Sequence, residues 1–176
     1  MIRPALPSDA AALCAIYNPY VAATTISFEE SPVAEADMAR RIGDVTARLP
    51  WLLFEQDGVV AGYAYAGPWR TRSAYRFAVE STVYVAPQWA RRGIGTQLYR
   101  ALIGALRAGG IRTVIGGIAQ PNPASVALHE QQGFEKVAHF SQVGRKFGAW
   151  VDVGYWQLVL ADGAAPDGAA PGGAAP

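Results

Sequence analysis

Glu80-Ser81-Thr82-Val83-Tyr84-Val85, followed after five residues by Arg91-Arg92-Gly93-Ile94-Gly95-Thr96, is the stretch that decides the fold. Residues 78–85 are rich in β-branched and aromatic side chains and are closed by Ala86-Pro87, which predicts a buried strand. Ile94, Leu98, Ala101, Leu102, Ala105 and Leu106 then recur at helical spacing. The loop between them carries two glycines and two arginines, and the free N–H groups of a helix start attract an anion such as a phosphate. The other reading of this loop is a tight strand-to-helix connection with solvated arginines. No lysine follows Gly95, as a Walker loop requires, and Leu98 stands where a dinucleotide turn has its third glycine. Glu80 interrupts the strand beside this loop, where a carboxylate is costly unless it is paired or functional.

A second segment, residues 120–134, opens with Asn122 as an N-cap and Pro123 in the first helical turn, and Gly133 suits a left-handed C-cap. Asn122, Ser125 and His129 fall on adjacent turns of one side of this short helix. The remaining elements follow in mixed order. Residues 2–5 form a strand, and Ser8 caps a helix carrying Leu13, Ile16, Tyr17 and Tyr20 on one stripe. A loop over 24–31 leads to a helix over 33–49, and a hairpin joins 51–55 to 59–66 across Asp57-Gly58. Further strands span 112–119, 134–143 and 151–160. This order predicts an α/β domain over residues 1–160, with a central mixed β-sheet flanked by helices. Residues 161–176 read as a flexible tail: from Asp162 onward they are three pentapeptides ending in Ala-Ala-Pro, which have no face to bury.

Composition bounds the function class. With 176 residues, 51% of them hydrophobic, the chain has ample material for one core, and a net charge of +1 gives no basic footprint for nucleic acid. The one cysteine, Cys14, has no intramolecular partner and reads as a packed residue of the first helix. No apolar run reaches membrane-spanning length, and the N-terminus is unlike a signal peptide, so the expected location is the cytoplasm.

The loop over 91–96 and the helix over 122–134 resemble the pyrophosphate-binding and second cofactor motifs of the GNAT superfamily of N-acetyltransferases. Two positions depart from it: Ala90 stands where the family usually has Gln or Arg, and His129 stands where it often has a tyrosine general acid. Tyr65 to Arg70, Ala74-Tyr75, Val79 to Val85, Leu128 to Glu130 and Trp150 to Gln157 look like the phosphinothricin and methionine sulfoximine N-acetyltransferases. The resemblance implies a GNAT-type acyl-CoA N-acyltransferase fold, acetyl-CoA as co-substrate, no metal, and a homodimer. It implies acetyl transfer to the α-amino group of a small glutamate-like amino acid. Other small amines, a peptide N-terminus, or acyl-CoA binding without catalysis are the alternatives.

Acetyl transfer needs a free amine, and an amino acid is mostly ammonium near neutral pH, so a base must accept a proton. Glu80 is the candidate, against an ion pair with Arg72 or Arg76 as its structural reading. His129 is either an acid toward the departing sulfur or a hydrogen-bonded contact that fixes the pantetheine; His139 reads as structural. The resemblance assigns the cofactor to Val83, Tyr84, Val85, Arg91, Arg92, Gly93, Ile94, Gly95, Thr96, Asn122 and Ser125. The acceptor would meet Arg72, Ser73 and Tyr75, with Phe28, Glu30 and Lys146 as weaker candidates. Trp69 and Trp150 read as core or interface packing.

Overall fold

The computed structural model describes residues Met1–Leu160; the tail expected over 161–176 lies outside them. Seven strands form one sheet: β1 (Ile2–Pro4), β2 (Trp51–Gln56), β3 (Val59–Pro68), β4 (Ala78–Val85), β5 (Thr113–Gln120), β6 (Glu135–Lys146) and β7 (Ala149–Val159), in the order β1-β2-β3-β4-β5-β7-β6. Every neighbouring pair is antiparallel except β4 with β5. The helices are α1 (Ala10–Ala23), α2 (Glu35–Thr46), α3 (Ile94–Ala108) and α4 (Pro123–Gln131). The mixed α/β architecture expected from the order of elements is the one observed.

Period-two alternation divides the sheet between two cores. Val79, Ala64 and Ala66 pack with Leu98, Tyr99, Leu102 and Leu106 of α3. Tyr63 and Leu53 pack on the opposite face with Leu13, Ile16 and Val21 of α1 and with Met38 and Ile42 of α2. Consecutive residues of β4 therefore serve different layers.

Two boundaries differ from expectation for local reasons. The first helix is not capped by Ser8. Asp9 is the residue before the helix, but its side chain caps no amide of α1: it accepts the Leu6 N–H at 2.8 Å, at the start of a short 3-10 turn over Pro7–Asp9, while Arg3 donates to both of its oxygens at 2.8 Å. The second helix begins at Glu35 instead of residue 33, because Asn18 of α1 holds Val33 in place, its Oδ1 accepting the Val33 N–H at 2.8 Å and its Nδ2 donating to the Val33 carbonyl at 3.0 Å. Cys14 is buried as expected, its thiol 3.4 Å from the same carbonyl. His139 pairs with Asp152 at 2.8 Å on the β6–β7 hairpin.

Candidate active site

The site originates where β4 and β5 part. Their parallel pairing covers only Ala78–Thr113, Val79–Val114 and Glu80–Ile115. Beyond Glu80, β4 continues against β3 as far as Val85, and β5 continues against β7 as far as Gln120. From Ser81 onward the backbone groups of β4 that face β5 have no strand partner, and an open V separates the two strands. Such groups must be satisfied by something other than the sheet.

On the α3 side the V opens into a cleft lined by Val83 to Val85, Ala90, Arg91, Gly93 to Thr96, Asn122, Ser125 and His129. Gly93 takes a left-handed conformation, φ 74°, immediately before α3, which an L side chain disfavours. The first helical hydrogen bond runs from the Gln97 N–H to the Gly93 carbonyl, so the amides of Ile94, Gly95 and Thr96 have no acceptor within the helix. Arg91 stands beside them, a cation at a helix start that already favours anions. Arg92 does not itself line the cleft; its guanidinium lies over the ring of Trp89, which does, 4.9 Å from the centroid. Asn122 caps α4 as expected, its Oδ1 accepting the Ser125 N–H at 3.1 Å.

On the α1/α2 side lies a second cleft, lined by Glu80, Glu29, Phe28 and the tyrosines Tyr17, Tyr65, Tyr84 and Tyr155. Ile26, Thr82, Tyr84, Gly117 and Ala119 border both clefts, so the two meet through the V. Glu80 projects into this second cleft. Burial raises its pKa above the ordinary carboxylate value, and the charge of Arg70 opposes the rise. Among the described residues its carboxylate forms no ion pair, so the expected alternative of pairing with Arg72 or Arg76 is not realised. Gly117 makes room for it: a Cβ there would stand 2.9 Å from Glu80 Oε1 and 3.2 Å from the Tyr155 ring.

His129 is fully buried on the opposite face of the sheet. Its Nδ1 lies 2.7 Å from the Ser125 carbonyl oxygen and its Nε2 2.7 Å from the Tyr99 hydroxyl, which is 3.1 Å from Ser81 Oγ. Burial lowers the His129 pKa, and the Ser125 carbonyl only partly offsets this.

The expected acceptor residues divide. Phe28 lines the second cleft. Glu30 does not; its neighbour Glu29 does, accepting from Arg41 at 2.6 Å and from Tyr17 at 3.1 Å, and these two donors hold its pKa low. Lys146 is corrected as well. Its ammonium is buried and donates to the carbonyls of Val21 and Ser27 at 2.7 and 2.6 Å, tying the loop after α1 to β6. Arg72, Ser73 and Tyr75 are exposed on a short turn between β3 and β4 and do not line the cleft as the single chain folds it. That segment begins with Trp69, whose ring meets Tyr155 edge-on at 5.6 Å, so it borders the mouth. Tyr17, Tyr65 and Tyr155 are not among the residues expected to line the site, and Tyr84, expected at the cofactor, borders both clefts.

Comparison with known proteins agrees with this geometry. The chain matches the acetyltransferase (GNAT) family over residues 13–134. It is 43% identical over 156 residues to a phosphinothricin N-acetyltransferase of Streptomyces viridochromogenes, covering 89% of this chain and 85% of that protein. It is 39% identical over 169 residues to an L-methionine sulfoximine/L-methionine sulfone acetyltransferase of Salmonella typhimurium, covering 94% and 97% of the two chains. Among solved structures, a GNAT superfamily phosphinothricin acetyltransferase from Sinorhizobium meliloti, in complex with acetyl-CoA, superposes with a TM-score of 0.87 at 36% identity, over 91% of this chain and 88% of that one. With the parted strands, the amide-rich start of α3 and these relatives in agreement, the chain belongs to the GNAT family of acetyltransferases.

Proposed function

We propose that the protein transfers an acetyl group from acetyl-CoA to the α-amino group of a small glutamate-like amino acid, such as phosphinothricin, methionine sulfoximine or methionine sulfone, with Glu80 as the general base. The observation that carries this reading is a carboxylate with no ion pair among the described residues, in the second cleft and two residues from Thr82, where that cleft meets the one fitted to an anion. Binding alone has no use for that carboxylate.

The cofactor cleft fits coenzyme A by its donor set. The amides of residues 94–96 and Arg91 suit a pyrophosphate, and the unpartnered edge of β4 near Val83 to Val85 suits a pantetheine amide or a thioester carbonyl. Acetyl-CoA supplies the activated acyl carbon. The β4 amides meet the charge that builds on the carbonyl oxygen, and Glu80 takes the proton that the acceptor's ammonium must lose before its nitrogen can attack. The C–N bond then forms, the C–S bond breaks, coenzyme A leaves as a thiolate, and the second proton shed by the nitrogen neutralises it. The tyrosines around Glu80 exclude water and offer ring faces and hydroxyls to the incoming ammonium group. The acceptor's α-carboxylate and its acidic or polar head are met at the mouth by the segment carrying Arg70, Arg72, Ser73 and Tyr75, with Phe28 closing the opposite wall.

A second copy completes the protein as a homodimer. The β6–β7 hairpin leaves Phe140, Val143, Phe147 and Trp150 more than half exposed on an edge of the sheet, the kind of apolar surface a partner covers. Sedimentation should give twice the chain mass. A cytoplasmic location belongs to the same proposal, supported by the lone cysteine, which has no intramolecular partner.

Replacing Glu80 by Gln tests the mechanism. Acetyl-CoA binding is expected to persist while turnover at neutral pH falls by about 100-fold or more, recovering in part at higher pH where the amine deprotonates unaided. Undiminished turnover would remove Glu80 from the reaction. A screen of acetyl-CoA consumption over the three named acceptors, ordinary amino acids and short peptides tests the substrate class, and activity confined to peptides would refute it.

A further inference from the structure

We propose that Tyr99 is a positioning residue for acetyl transfer, and that His129 is the acceptor that fixes it instead of a proton donor to the departing sulfur. The inference rests on the acetyl-transfer reading above and concerns how that site is held.

The hydrogen-bond roles follow from valence. A carbonyl oxygen only accepts, so the 2.7 Å contact with Ser125 places a proton on Nδ1 of His129. In the neutral ring Nε2 is then a lone pair, and the Tyr99 hydroxyl 2.7 Å away must donate to it. The Tyr99 oxygen is left facing Ser81 Oγ at 3.1 Å as an acceptor, and the one Ser81 proton is shared between it and the Ile115 carbonyl of β5 at 3.3 Å. The two protons beyond it run away from the V, from Tyr99 to His129 and from His129 to Ser125. The ring's single N–H is committed to the backbone, and a neutral His129 has no proton left for a thiolate.

The surroundings keep the ring neutral. Phe134 and Tyr99 stand edge-on to it at 5.1 and 5.0 Å between centroids, and Gly116 of β5 lies against it with no side chain. Among the described residues Tyr99 is the only titratable group that bonds to the ring, whether from α3, α4, β4 or β5. Glu130, next in α4, turns to the Trp156 Nε1–H at 3.2 Å, and Glu80 lies on the other face of the sheet.

What the chain fixes is β4. Ser81 is the first residue past the last β4–β5 pair, where the strand loses its neighbour, and it stands between Glu80 and the unpartnered amides near Val83. Tyr99, itself completely buried, ties that point to α3, and through His129 to α4. Both the carboxylate and the amides thereby inherit one rigid origin.

The test combines kinetics with a readout that needs no turnover. Long-range 15N–1H NMR of imidazole-labelled protein, with His139→Gln for assignment, should find His129 neutral and protonated at Nδ1 at pH 7. Tyr99→Phe and His129→Leu should each lower kcat by about tenfold, with acetyl-CoA affinity and the pH profile kept, and the double variant should be no slower than the slower single one. A proton on Nε2, or an imidazolium at pH 7, would overturn the proposal. So would a loss of 100-fold or more in His129→Leu beside an unimpaired Tyr99→Phe, or a Tyr99→Phe that loses thermal stability alone. A wild-type protein without acetyl transfer would sink the functional reading, while the tautomer measurement would still decide the network.

Discussion

Replacing Gly116 by alanine adds one methyl group at the most closely packed point of the site. The new Cβ would lie 2.5 Å from Cδ2 of His129 and closer still to Nε2, far inside van der Waals contact. The ring has nowhere to retreat, since two 2.7 Å hydrogen bonds and two edge-on aromatic neighbours hold it. Overpacking of a core costs about 1–3 kcal/mol. If the ring shifts enough to release Tyr99, an unsatisfied buried hydroxyl adds about 1–3 kcal/mol. The loss of backbone freedom in the unfolded chain returns about 0.4–1 kcal/mol, because Gly116 is not in the left-handed region. The net expectation is a destabilisation of about 2–4 kcal/mol, which for a domain of this size lowers Tm by roughly 5–15 °C. Urea unfolding followed by tryptophan fluorescence gives the free energy directly, and His129→Ser in the Gly116→Ala background should recover part of it by emptying the contested space. A Gly116→Ala protein within about 1 kcal/mol of wild type would refute the claim that the ring is locked.

Three further outcomes follow from the same geometry. Gly117→Ala presses on Glu80, whose carboxylate has no hydrogen bond to break among the described residues, so Tm should change little while kcat/KM falls, as calorimetry and steady-state kinetics would reveal. Lys146→Met leaves the carbonyls of Val21 and Ser27 without their donor and should cost about 2–4 kcal/mol in urea unfolding, with a raised KM for the acceptor as the loop bearing Phe28 loosens. Burial raises the folded-state pKa of Glu80, so its ionised form opposes folding above that pKa and the opposition fades as pH falls through it. Glu80→Gln should therefore melt higher than wild type at pH 8, with the gap closing toward pH 4, and an equal gap at both would show that the carboxylate is not strained by burial.

The two halves of the site were legible to different degrees. Glu80 was visible because a carboxylate in a β-branched strand contradicts its surroundings, and the loop over 91–96 because glycines and arginines before an apolar helix leave amides open. His129 was visible from its place in a capped helix, but its bonding was not, since Tyr99 stands 30 residues away and reads as one more apolar position of α3. The acceptor cleft was the least legible part. Its tyrosines come from α1, β3, β4 and β7, and only the sheet order brings them together. Lys146 misled for the same reason: a lysine near an expected anion pocket reads as a ligand until two carbonyls more than 100 residues away are found to hold it. Glu29 and Glu30 carry identical chemistry in sequence, and only the path of the loop decides which one faces Tyr17.

The parting of β4 from β5 makes strand register a catalytic variable. Side chains alternate along a strand, so Glu80 enters the acceptor cleft while Ser81 enters the Tyr99–His129 chain on the other face. A slip of one residue that carried Glu80 to the place of Ser81 would bury a carboxylate against Tyr99 and leave Val79 facing the second cleft. Three pairs with β5 are a weak guard against such a slip, and the seven pairs with β3 are a stronger one. Side chains add to it on both faces: Val79 is packed under α3, and Tyr84 meets Tyr17 edge-on at 4.9 Å. The hydroxyl of Tyr20 closes the far end of the strand, donating to the Val85 carbonyl at 2.6 Å. The strand that parts from its neighbour is thus held from the two faces of the sheet, and Glu80 is presented on one side of the gap because Ser81 is seated on the other.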